Sequence, residues 1–105
     1  MTPRDHQILD LFSSRVRALF PDARIWAFGS RARGTATEES DLDLCVVIEM
    51  RTETAVEQIS HIAWEVGFDN DTLITTVVYA RQEFETGLQS FSPLVRVIRK
   101  EGILA

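Results

Sequence analysis

The segment that most limits how this chain can fold is Asp41-Leu42-Asp43-Leu44-Cys45-Val46-Val47-Ile48, where apolar side chains occupy both phases of a period-two pattern. Leu42, Leu44, Val46 and Ile48 fall on one face, and Asp41, Asp43, Cys45 and Val47 on the other. A strand that is apolar on both faces belongs in the middle of a sheet covered on each side. The two aspartates at its start then stand out, because carboxylates on an otherwise apolar strand cost free energy unless they perform a task.

The rest of the chain supplies the cover. Thr2-Pro3 reads as a helix N-cap followed by proline at the first helical position, and Ile8, Leu9, Phe12, Val16, Leu19 and Phe20 recur at helical spacing until Pro21. Arg24 to Phe28 reads as a short strand that runs into a turn at Gly29, and Gly29 to Gly34 as the opening of a short helix. Thr54-Ala55-Val56-Glu57 fits a capping box for a second long helix with Val56, Ile59, Ile62, Ala63 and Val66 inward and Gly67 as its terminal cap. Leu73 to Ala80 reads as a third strand; Ser92-Pro93 caps a last helix with Leu94, Val97 and Ile98 inward and Gly102 beyond its end. The order αβαβαβαα predicts an α/β or α+β domain in which helices pack on a sheet. At 105 residues the chain suffices for one domain, residues 1–105, burying roughly 65% of its unfolded surface.

Charge and cysteine content narrow the function classes. A formal charge of -5 argues against a whole-domain footprint on nucleic acid, since that affinity comes from Lys and Arg neutralising phosphates. The longest strictly apolar run, Leu44 to Ile48, is far short of the roughly 20 residues of a membrane helix, and the N-terminus shows no signal-type apolar segment, so a cytoplasmic location is expected. Cys45 is the only cysteine, which excludes an internal disulfide and a zinc site of paired cysteines; its apolar setting predicts a core residue. Trp26 and Trp64 are expected in the core, His6 and His61 on helix surfaces, and Arg96, Arg99 and Lys100 at the end of the last helix, where cations suit the dipole. Glu38, Glu39, Glu83 and Glu85 read as solvated faces.

The chemistry concentrates in Ala27-Phe28-Gly29-Ser30-Arg31-Ala32-Arg33-Gly34 and Ser40-Asp41-Leu42-Asp43-Leu44. Strand residues two apart project to one face with Cα atoms about 6.5 to 7 Å apart, so Asp41 and Asp43 can converge on divalent cations. Such cations neutralise phosphate charge and orient the attacking and leaving oxygens, and magnesium suits hard oxygen ligands. Gly29 allows close backbone approach, and Ser30 offers a hydroxyl and an N–H. Arg31 and Arg33 can each grip a phosphate or be solvated helix residues; both readings stay open. A dehalogenase-type phosphatase is disfavoured because the apolar run follows Asp43 instead of leading into it. A calcium loop fails at Cys45 and Val46, and a P-loop fails for want of Gly-Lys-Ser/Thr.

Gly29-Ser30, ten intervening residues and Asp41-Leu42-Asp43 resemble the signature of the polymerase-β-like nucleotidyltransferase superfamily, and the fuller motifs are similar to its minimal, MNT-type branch. The resemblance implies a small mixed sheet with flanking helices, binding of ATP or another NTP with Mg2+, and transfer of a nucleoside monophosphate to an acceptor hydroxyl. It further implies that Gly29 and Ser30, with Arg31 and Arg33 as candidates, bind the nucleotide, and that Asp41 and Asp43 are the metal ligands and catalytic carboxylates. It also implies a HEPN-type helical protein partner in a toxin–antitoxin pair, which some members adenylylate. Enzymes of this superfamily usually carry a third carboxylate on the later strand, yet Leu73 to Ala80 holds none; Thr75 or Thr76 stands about where it is expected. Asp69 and Asp71 just before that strand are either substitutes or turn residues. A catalytically degenerate domain that binds and masks its partner by contact is the alternative.

Overall fold

A computed structural model describes residues 1–37 and 39–105; Glu38, expected above on a solvated face, lies outside the described residues. Helix α1 spans Pro3–Leu19, strand β1 Arg24–Phe28, the short helix α2 Gly29–Arg33, strand β2 Leu42–Ile48, helix α3 Glu53–Asp69, strand β3 Ile74–Ala80, helix α4 Arg81–Glu85, helix α5 Pro93–Glu101 and strand β4 Ile103–Leu104, with a 3-10 turn at Leu88–Phe91. The four strands form one sheet in the order β3-β2-β1-β4. β1 runs antiparallel to β2 and to β4, whereas β2 and β3 run parallel, joined by α3. The mixed sheet with flanking helices follows from this pairing.

β2 is central and divides the core as its two-faced pattern requires. Leu42, Leu44, Val46 and Ile48 pack with Ile8, Leu9, Phe12 and Val16 of α1 and Ile59, Ile62 and Val66 of α3. On the other side Cys45 and Val47 pack with Trp26, Tyr79, Phe84, Val95 and Ile98. Burial pushes the Cys45 thiol up to about 12, the state of an inert core residue. No described helix is long and apolar enough to cross a membrane.

Several local expectations are corrected by tertiary packing. The cap of α3 is Thr52, whose hydroxyl accepts from Ala55 N–H at 3.1 Å, so Thr54 lies within the first turn. Gly67 does not end that helix, which runs to Asp69 and is capped by Asn70. Glycine is needed there for another reason: a Cβ at Gly67 would stand 2.4 Å from the Thr72 carbonyl oxygen. In α5 the inward residues are Val95 and Ile98, while Leu94 and Val97 are exposed, as is Leu19 at the end of α1. Trp26 is buried, but Trp64 is 64% exposed on the outer face of α3, stacked between His61 and Phe68. Glu83 is half-buried and accepts from Ala80 N–H at the start of α4, while Glu85 is exposed as expected and pairs there with Arg24 and Arg81. The two-residue strand β4 escaped the sequence reading because so short a run has no period to detect; it pairs with Trp26 and Ala27.

Candidate functional site

The site forms where β1 hands over to α2, alongside the start of β2. Phe28 pairs with Asp43, so the residue after Phe28 must turn away directly above that carboxylate. Gly29 makes the turn at φ +77, in the left-handed region that favours glycine. A Cβ on Gly29 would fall 2.3 Å from Asp43 Oδ2, so the Gly-Ser turn rests on the carboxylate itself. Phe28, at the N-cap of α2, brings no side-chain acceptor to the N–H groups that open the helix.

On the opposite side of Asp43 stands Thr75. The two are register partners across the parallel β2 and β3 pair, and the Thr75 hydroxyl donates to Asp43 Oδ1 at 2.5 Å. Of the two positions proposed for a missing carboxylate, Thr75 is thus the one that faces Asp43. Asp43 is half-buried, held between Gly29 and Thr75, while Asp41 lies half-buried just ahead of the strand. Asp71 occupies a left-handed turn position at φ 51 and Asp69 is the last residue of α3, as turn and helix-end roles require.

Arg31 is committed within the protein. Its Nη1 pairs with Asp5 Oδ1 at 2.7 Å and its Nε donates to the Ser40 carbonyl at 2.8 Å; the Asp5 side chain is buried and that of Arg31 is only 13% exposed. This geometry ties the loop-borne helix α2 to the start of α1 and to the residue preceding Asp41. Arg33 is half-exposed and lies 3.5 Å from Glu101 of α5. Asp5 was missed by sequence reasoning, although a signal was present: it is the N3 residue of a capping box begun by Thr2, whose hydroxyl accepts from Asp5 N–H.

The donor set suits a hard divalent cation: two carboxylates in alternate positions and a hydroxyl at hydrogen-bond distance from one of them. Among the described residues no group of three or more His, Cys, Asp or Glu forms a self-sufficient metal cage. Two carboxylates from the protein, with the remaining oxygens from phosphates and water, is the arrangement magnesium takes at nucleotide sites.

A family profile described as a nucleotidyltransferase domain matches residues 9–103. A protein of Methanocaldococcus jannaschii named as a protein adenylyltransferase is 32% identical over 78 residues, covering 71% of this chain and 79% of that relative. A Haemophilus influenzae protein named as a protein adenylyltransferase, MntA, is 44% identical over 41 residues, covering 39% of this chain; the match spans about a third of that relative, 36% of its length. A crystal structure of a toxin–antitoxin with AMP-PNP superposes with a TM-score of 0.62 over 95% of this chain and 70% of that one, and at 21% identity it shows a shared fold.

Proposed function

This chain belongs to the nucleotidyltransferase domain family, and from that premise we propose that it transfers AMP from ATP to a hydroxyl group of a protein acceptor. The observation that supports the reading is the close approach of the Gly29 turn to Asp43, where a loop fit to meet phosphates would stand beside one of the two carboxylates. The names of the two relatives support AMP transfer to protein. The nucleotide analogue in the structurally similar toxin–antitoxin supports a triphosphate donor and a protein partner, for which a HEPN-type helical protein is our candidate.

In this reading Gly29 and Ser30 present backbone and hydroxyl donors to the triphosphate, in a turn too close to Asp43 for any side chain at position 29. Asp41 and Asp43 are the groups that would hold Mg2+, which when bound neutralises phosphate charge. Arg31 acts by position, fixing the loop and Ser40 relative to α1, and Arg33 is the arginine left at the surface to meet a phosphate. The acceptor oxygen forms a bond to the α-phosphorus as the bond from that phosphorus to the bridging oxygen breaks. Pyrophosphate leaves with the electron pair, and the hydroxyl proton passes to water. Holding acceptor and α-phosphorus in line is the protein's main contribution to such a step.

The second reading, a domain that binds its partner without catalysis, draws on Thr75, which puts a neutral hydroxyl opposite Asp43. Calorimetric titration of Mg-ATP into the wild type and Asp43→Asn tests the site, and transfer of label from α-labelled ATP to a co-purified partner tests the reaction. Saturable binding lost in Asp43→Asn, together with a labelled partner, is expected. Binding without labelling would leave the contact-only reading standing, and equal binding by both proteins would overturn the site.

A further inference from the structure

We propose, resting on the reading above, that the acceptor protein docks as an added strand on the free edge of β3 at Ile74 to Thr76, with its hydroxyl residue on the Asp43 side of the sheet. β3 is an edge strand. Leu42 N–H donates to the Leu73 carbonyl at 2.9 Å, and Leu42 is the register partner of Ile74, so Leu73, Thr75 and Val77 turn their backbone groups toward β2. Ile74, Thr76 and Val78 therefore turn theirs outward. The Val78 carbonyl is taken by Arg51 Nε at 3.0 Å, whereas Ile74 and Thr76 make no backbone bond outside the β2 ladder among the described residues.

Proteins guard exposed strand edges with charge, proline, bulges or a covering segment. Ile74-Thr75-Thr76-Val77-Val78-Tyr79-Ala80 carries neither charge nor proline, and its described guard, Arg51, sits at Val78. The open stretch lies along a groove of about 810 Å³ whose walls include Trp64, Gly67, Phe68 and Leu73. Three of these are large and exposed: Trp64 64%, Phe68 74% and Leu73 67%. Trp64 and Phe68 are stacked at 5.4 Å, an apolar surface one helix turn long.

Alternation decides what the occupant must be. In an added strand successive side chains point to opposite faces, so one set falls on the α3 face with Thr76 and the aromatic pair, and the next on the face of Thr75 and Asp43. A segment with an apolar side chain on each side of a Ser, Thr or Tyr would anchor on Trp64 and Phe68 and carry its hydroxyl toward Asp43. Thr75 joins the two halves, since it borders the groove and its hydroxyl bonds Asp43. A second copy pairing β3 to β3 along its length would meet Arg51 at Val78, which favours a short segment over self-association.

The test uses the full chain with Mg-ATP and a synthetic peptide set in which Ser, Thr or Tyr is flanked on each side by Val, Ile, Leu or Phe. Hydrogen exchange should show protection of the Ile74 and Thr76 amides by the best-binding peptides. Trp64→Ala should weaken peptide binding roughly tenfold while Mg-ATP affinity stays unchanged, and Thr76→Pro, which deletes an outward N–H, should abolish it. Mg-ATP binding with no peptide protecting those amides would overturn the proposal. So would a dimer at micromolar concentration that Trp64→Ala dissociates, because the face would then belong to a second copy. Failure of Mg-ATP itself to bind would instead strike the reading of the Gly29 and Asp43 site.

Discussion

The hydroxyl of Thr75 donates to Oδ1 of Asp43 at 2.5 Å across the parallel β2 and β3 pair. Asp43 thereby has one oxygen oriented by a neighbour strand, while the other faces the Gly29 turn. A carboxylate fixed in this way is pre-positioned to bind a cation without losing rotamer freedom at that moment.

Replacing the hydroxyl tests that role. Thr75→Val should weaken Mn2+ or Mg2+ binding in the presence of nucleotide by roughly 10- to 100-fold, and Thr75→Ser should restore most of it. Thr75→Asp would set a carboxylate directly opposite Asp43, so its melting temperature should fall without divalent cation and recover when Mg2+ is added. Metal titrations followed by calorimetry and thermal melts read both effects; a Thr75→Val protein with unaltered metal affinity would show that the bond is incidental.

Gly29 and Gly34 share nearly the same left-handed φ, +77 and +79, yet they should respond differently to alanine. At Gly34 a Cβ meets nothing within 4 Å, so only the backbone cost of about 1 to 2 kcal/mol applies. At Gly29 the Cβ collides with Asp43 Oδ2 at 2.3 Å, adding overpacking and bringing the total to about 2 to 5 kcal/mol. Urea midpoints of Gly29→Ala and Gly34→Ala make the comparison, and equal losses would mean that Asp43 moves aside freely.

Breaking the Asp5 and Arg31 pair should destabilise the fold as well as the loop. Side-chain exposures of 6% and 13% leave the surviving charge poorly solvated, so Arg31→Ala should cost about 3 kcal/mol or more, a large share of the stability of a small domain. Asp5→Ala combined with Arg31→Ala should cost less than the sum of the two single changes, which a double-mutant cycle in denaturant measures.

Alkaline pH should weaken the fold through Cys45. Its folded-state value is pushed up from 9.0 to about 12 by burial, so the native state holds a proton that the unfolded state releases. That contribution is complete below pH 9 and is lost as pH rises from 9 toward 12. Tyr79, also raised chiefly by burial, acts in the same direction. Stability measured from pH 7 to 11 should fall less steeply in Cys45→Ala, and the native thiol should resist alkylation at pH 8.

The sequence by itself determined the strand and helix order up to α5, because long apolar periods and proline caps act over a few residues and need no distant partner. It also offered Gly29-Ser30 and Asp41-Leu42-Asp43 as one candidate site by resemblance, whereas the position of Gly29 directly against Asp43 comes from the antiparallel pairing of β1 and β2. Only the tertiary structure decided that Thr75, 32 residues beyond Asp43, is its hydrogen-bond partner, and that Arg31 is held by Asp5, 26 residues before it. It likewise decided that Trp64 faces outward beside an open strand edge. Local patterns carry the direction in which a side chain points along its own element. Which residue meets it there depends on how elements far apart in the chain are brought into register, and one-dimensional spacing does not encode that.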